Sequence, residues 1–413
     1  MNNRVPTGMA EALRLTQAGD LAGATAHLQR LLRGAAPVPP GADPTIIDVE
    51  PVTVNAAPDT QDPAPPHRAT AFRPAGAFAG RFHPGPRAGL GETLRGLAAG
   101  VMPAGAGFGA NGTIRPAADP LPDGAAFTSG SFGNKAGTRS YKLYVPANRR
   151  DGQPLPLVVM LHGCTQSPDD FAAGTRMNML AEEHGCLVVY PAQPSSANAQ
   201  KCWNWFNPLD QRRGDGEPSL IAGITRQVMR EHAVDPDRVF VAGLSAGGAA
   251  AAIMGAAYPD LYAAVGVHSG LPRGAASDIP SAFVAMRQGG GAVEPQPGPA
   301  VPAVPTIVFH GDRDTTVHPR NGDDVAAQSK MGTAGARVAV EHGQVPGGHG
   351  YSRHLHTDAS GRVLCEQWTI RGAGHAWAGG SPSGSYTDPR GPDASREMLR
   401  FFLANPRRRP SAP

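Results

Sequence analysis

From residue 127 onward the chain alternates between short apolar runs and stretches with helical spacing. Residues 141–145 alternate apolar and polar positions, the pattern of a half-buried strand. Residues 157–161, 187–190, 239–242, 264–267 and 306–309 are continuous apolar runs. Between them, 170–184 and 220–231 place apolar residues at helical intervals, and 249–257 is a helix of small residues. A last helix is expected from Asp393 to about Leu403. Buried runs separated by helices predict an α/β domain built on a doubly wound, mostly parallel sheet with both faces covered. Residues 277–305 break this rhythm with Gly and Pro and read as an insertion loop, a candidate cover for the active site.

The first 126 residues have a different texture. Leu21, Ala24, Leu28 and Leu31 recur at helical spacing, Gly19 can stop a preceding helix and Asp20 can cap the next. Residues 1–34 are therefore predicted as a helical hairpin. Its apolar stripe needs a partner: its own catalytic domain, a second copy, or a granule surface. Residues 35–126 are rich in Pro, Ala and Gly and predict a mostly disordered linker, with one short helix at 90–102. The catalytic domain is expected over 127–405, followed by a basic tail at 406–413 with Arg407, Arg408 and Arg409.

The net charge of +3 provides no concentrated basic face, so nucleic acid is not an expected partner. No apolar run is long enough to span a bilayer, and the N-terminus lacks the apolar core of a secretory signal, which predicts a cytoplasmic protein. The four cysteines lack metal-site spacing, so no metal is expected.

The chemistry centres on Gly243-Leu244-Ser245-Ala246-Gly247, a G-x-S-x-G pentapeptide lying between an apolar run and a small-residue helix. That is the strand–turn–helix context of a nucleophile elbow, where close backbone packing demands small residues at both glycines. A serine hydroxyl is a poor nucleophile without a base, and the base needs a carboxylate to orient it. In this fold the order is Ser, acid, His. Asp314, in the loop after the 306–309 run, fits the acid, with Asp312 as a turn residue beside it. His375, flanked by Gly374 and Gly372 after the last strand, fits the base better than His310, His318, His349, His354 or His356. The oxyanion needs two backbone N–H groups. Ala246 and Cys164, the latter in the loop His162-Gly163-Cys164-Thr165-Gln166, are the expected donors, with His162 structural. No organic cofactor is required.

Five elements in order resemble the polyhydroxybutyrate depolymerase family of esterases: residues 161–166, Cys202-Trp203-Asn204-Trp205-Phe206, the Ser245 pentapeptide, His310-Gly311 with Asp314, and Gly374-His375-Ala376-Trp377. The resemblance runs from about residue 127 to 403 and implies an α/β-hydrolase fold. It implies a serine esterase cleaving poly- or oligo(3-hydroxybutyrate)-type esters, with the triad Ser245, Asp314 and His375. Feruloyl and acetyl-xylan esterases share the pattern and supply an alternative substrate. A second alternative makes the triad a relic and the chain a granule- or partner-binding protein. The resemblance also implies that Cys164 and Cys202 approach one another; a disulfide there is at odds with a reducing cytoplasm. Extracellular localisation, common in the family, is the alternative. Trp203, Trp205 and Trp377 are candidates for the substrate cleft, with core packing as the alternative; Trp377 is the foremost cleft candidate because it follows His375 so closely.

Overall fold

The computed structural model describes residues 120–149, 152–291, 304–331 and 337–407. The predicted N-terminal hairpin, the linker up to residue 119 with its short helix, and the tail from Arg408 lie outside the described residues.

Two strands open the domain, β1 (Ala126–Asn134) and β2 (Gly137–Val145), paired antiparallel. Then come β3 (Leu155–Leu161), helices α1 (Pro168–Thr175) and α2 (Met177–His184), β4 (Leu187–Pro191), α3 (Gly216–Glu231) and β5 (Val234–Leu244). After α4 (Ala246–Ala257) follow β6 (Ala264–His268), α5 (Ile279–Gln288), β7 (Thr306–Gly311) and α6 (Arg320–Gln328). The chain closes with β8 (Arg337–Gln344), β9 (Gly350–Thr357), β10 (Val363–Ile370), two short strands β11 (Trp377–Ala378) and β12 (Thr387–Asp388), and α7 (Ala394–Ala404).

Among the described residues the main sheet has the order β1-β2-β4-β3-β5-β6-β7-β10-β9-β8. Its centre, from β4 through β10, is parallel, and both flanks are antiparallel. The central strands are buried on both faces, which is why they read as continuous apolar runs. Along β3, Leu157, Val159 and Leu161 pack on one side with α3 and α4, while Val158 and Met160 pack on the other with α1, α2 and α7.

Two expectations are corrected. The helical stretch 170–184 is two helices, broken at Arg176, whose left-handed backbone (φ 54°) ends α1 and starts α2. The stretch 277–305 is not simply a loop. Asp278 and Ser281 form a reciprocal capping box, and Pro280 sits where its missing N–H does no harm, so α5 forms. Several elements went unread, among them β1, α6, β8 and β9. β8 is exposed along almost its whole length, and β9 is half-buried without alternation.

Candidate active site

Ser245 stands between β5 and α4 with φ 58° and ψ −120°, a conformation that a residue with a Cβ rarely adopts. The neighbours hold it there. Its N–H donates to the His268 carbonyl at 2.9 Å, and its carbonyl accepts from Ala249 N. A Cβ on Gly247 would strike Leu161 O and approach His162 O at 2.6 Å, and one on Gly243 would strike Gly247. The turn closes this tightly only because both positions are glycine.

Asp314 and His375 leave the C-terminal ends of the adjacent parallel strands β7 and β10, the edge where open α/β sheets place ligand sites. His375 Nδ1 lies 2.7 Å from Asp314 Oδ2. Asp314 Oδ1 accepts from the N–H groups of Thr316 (2.9 Å) and Val317 (2.8 Å). His310 Nε2 sits 3.5 Å from Asp314 Oδ2 and closer, at 2.8 Å, to the Val317 carbonyl. Burial opposes the charge on Asp314. Hydrogen bonding and the positive potential from His310 and His375 outweigh it, holding the carboxyl well below the usual carboxylate range. Asp312 is a turn residue, as expected, with its Oδ1 accepting from Gly372 N at 2.6 Å. Among the described residues no hydrogen bond joins Ser245 Oγ to His375.

The loop after β3 lies against the serine. A Cβ on Gly163 would sit 3.6 Å from Ser245 Cβ. Gly163 N donates to Gln166 Oε1 at 2.9 Å, and Thr165 N donates to Gln200 O at 2.6 Å. Between these two, among the described residues, the N–H of Cys164 has no hydrogen-bond partner. Ala246 is the first residue of α4, so its N–H has no acceptor within the helix. Cys164 is disulfide-bonded to Cys202. His162 is buried and structural: its Nε2 accepts from Gln193 N at 3.1 Å, and burial pushes its pKa down to about 4.

The three tryptophans are core residues rather than open cleft walls. Trp203 is fully buried and donates from Nε1 to His162 O at 3.1 Å. Trp205 is buried against Phe206. Trp377 is 1% exposed, stacks on His268 at 5.1 Å between ring centroids, meets Phe171 edge-on, and donates to Ser395 Oγ at 3.0 Å. Following His375 by two residues does not decide which way a ring points, and here the polar tip found its partner inward.

Two groups near the site escaped sequence reading. His268 is fully buried, stacked between Phe309 and Trp377, with Nε2 accepting from Ala378 N at 3.0 Å. Burial first, then the neighbouring His310 and His375, push its pKa down to about 3. The second group ties residues 385–386 to the Gly163–Gln166 loop. Gln166 Nε2 donates to Ser385 O at 3.1 Å, Asp170 Oδ1 accepts from Ser385 N at 3.0 Å, and Asp170 Oδ2 accepts from Ser385 Oγ. Some 219 residues separate Gln166 from Ser385, so no local pattern announces the contact.

Residues 139–343 match the family model described as Esterase PHB depolymerase. The chain is 34% identical over 259 residues to poly(3-hydroxyalkanoate) depolymerase C of Paucimonas lemoignei, covering 59% of this chain and 60% of that protein. It is 31% identical over 216 residues to the probable acetylxylan esterase A of Aspergillus fumigatus, covering 47% of this chain and 57% of that protein. It is 28% identical over 239 residues to the poly(3-hydroxybutyrate) depolymerase of Ralstonia pickettii, covering 54% and 48%. The chain thus spans between 48% and 60% of the length of these relatives. In fold it matches the acetyl xylan esterase from Aspergillus awamori, with a TM-score of 0.53 at 21% identity, over 67% of this chain and 99% of that one. A sheet parallel at its centre, covered by helices on both faces and shared with that esterase, is the α/β-hydrolase fold. Residues 139–343 therefore carry the Esterase PHB depolymerase domain, in a chain similar to the depolymerases above.

Proposed function

We propose that this chain is a serine esterase in which Ser245 is the nucleophile, His375 the general base and Asp314 its orienting acid. The observation that carries the reading is the 2.7 Å bond between His375 Nδ1 and Asp314 Oδ2. It fixes Nε2 as the ring nitrogen available to the substrate side. In free enzymes the nucleophile–base bond is often long and tightens only when substrate is bound.

His375 takes the Ser245 proton as Oγ attacks the ester carbonyl. The oxyanion is held by the N–H groups of Cys164 and Ala246. On collapse the carbon–oxygen bond to the alcohol breaks, and His375 returns the proton to that leaving oxygen. Water, deprotonated by His375, then attacks the acyl-enzyme and releases the acid and the free serine. Asp314 stays ionised throughout, which its depressed pKa supports.

The substrate we favour is a short-chain hydroxyacyl ester of the poly- or oligo(3-hydroxybutyrate) type, on the strength of the depolymerase relatives. An acetylated polysaccharide is the second reading, supported by the acetylxylan esterase relative, and a feruloylated one is a further arm of the test. The Cys164–Cys202 disulfide favours an oxidising compartment over the cytoplasm, so extracellular localisation is proposed in place of the cytoplasmic expectation. No helix among the described residues is long and apolar enough to cross a membrane.

The test is hydrolysis of p-nitrophenyl butyrate by wild type and Ser245→Ala, with a far-ultraviolet spectrum to show that the variant folds. Turnover should fall by on the order of 10³–10⁶. Near-normal turnover would remove Ser245 from the mechanism. Comparing kcat/KM on 3-hydroxybutyrate oligomers, acetylated xylan and methyl ferulate separates the two substrate classes.

A further inference from the structure

Tyr386 is an exposed aromatic residue, 43% accessible, on a backbone of φ 53° that side-chain-bearing residues rarely adopt. Surface tyrosines in strained conformations are held by something, and here the anchors are explicit. The Tyr386 carbonyl accepts from Trp377 N at 2.7 Å, two residues after His375. Its hydroxyl lies 3.2 Å from Thr165 Oγ1, one residue after Cys164. The preceding residue, Ser385, is bound on three sides by Gln166 and Asp170. Thr165 is itself at φ 65°. Tyr386 thus bridges the base-bearing loop and the loop packed on Ser245, with its ring left open.

A ring left 43% accessible, fixed at the rim by an over-determined and strained turn, suits contact with a ligand. Its shape gives an apolar face and a polar edge. That matches a chain of alternating methylene and ester groups passing over the rim. We propose that Tyr386 determines specificity by supporting the part of a multi-unit ester that extends beyond the scissile bond. The proposal rests on the esterase reading above and deepens it: the substrate is an oligomer held at more than one unit. Tyr386 takes no part in proton transfer.

The experiment compares kcat and KM for a linear 3-hydroxybutyrate trimer and for p-nitrophenyl acetate, which has no chain to support, in wild type, Tyr386→Ala and Tyr386→Phe. Tyr386→Ala should lose about tenfold in kcat/KM on the trimer, chiefly through KM, and under about twofold on the acetate. Tyr386→Phe, which keeps the ring, should restore the trimer value to within about threefold. Equal losses on both esters would assign Tyr386 to holding the Thr165 loop and overturn the proposal, as would no loss on either. A wild type active on the acetate but not on the trimer would overturn the oligomer substrate while sparing the esterase reading. A wild type inert on both would remove the esterase reading and the proposal with it.

Discussion

The Asp314 carboxylate receives His375 Nδ1 on one oxygen and two backbone N–H groups, from Thr316 and Val317, on the other. The carboxylate is therefore oriented before the imidazole arrives. Asp314→Asn should keep the shape but favour the wrong imidazole tautomer, so kcat should fall by about 10³–10⁴ with KM nearly unchanged. Steady-state kinetics on p-nitrophenyl butyrate reads this directly. A drop below tenfold would show that another group orients His375.

His162 and His268 weaken the fold toward acid. Their folded pKa values are pushed down to about 4 and about 3, against an ordinary value near 6.5 in the unfolded chain. Below pH 6.5 the unfolded chain therefore binds more protons than the folded one. Stability from these groups is complete above that pH and is lost as the pH falls toward 4 and 3. Each should remove about 2 kcal/mol between pH 6.5 and pH 5. Urea unfolding of wild type and of His268→Gln, whose amide oxygen can still accept from Ala378 N, at pH 7 and pH 5 isolates the His268 share: the variant should lose about 2 kcal/mol less than wild type across that interval.

The Cys164–Cys202 disulfide spans 38 residues and fastens the loop that faces Ser245. Reduction, or Cys202→Ser, should lower unfolding free energy by about 2–4 kcal/mol in the chain-entropy view. Because the loop also carries Thr165 and the Cys164 N–H, activity should fall at temperatures where the protein remains folded. Activity and melting curves recorded with and without dithiothreitol check both effects. Unchanged kinetics after full reduction would show that Gln166 and its partners hold the loop alone.

Gly247→Ala tests the elbow. The added methyl would collide with the Leu161 carbonyl, which is strand backbone and cannot swing away. The variant should lose about 2 kcal/mol or more of stability and nearly all activity. Thermal unfolding and turnover of p-nitrophenyl butyrate report each part.

How much was legible in the sequence follows from burial. β3, β6 and β7 are buried on both faces, so their residues could hardly be other than apolar. The pentapeptide around Ser245 stood out because the turn excludes side chains larger than hydrogen at both glycines. β8 had no such constraint, since nearly all its side chains face solvent, and it stayed invisible. α5 was readable in principle from Asp278, Pro280 and Ser281, but the surrounding Gly and Pro masked that start signal. The tryptophans failed for another reason: chain proximity to His375 carries no information about ring direction. Residues 385–386 meet Gln166 only through tertiary folding.

The loops that carry Asp314 and His375 hang from β7 and β10, which are neighbours in the sheet although β8 and β9 intervene in the chain. In the sheet β8 and β9 pair with each other and along the far side of β10, and the turn between them is tied through His349 to Asp388 and Arg390. Away from that turn the hairpin is an outer margin: the exposed side chains of β8 are free to drift while the registry that brings the carboxylate to the imidazole stays fixed. New surface properties could be grafted onto this fold there without rebuilding its centre.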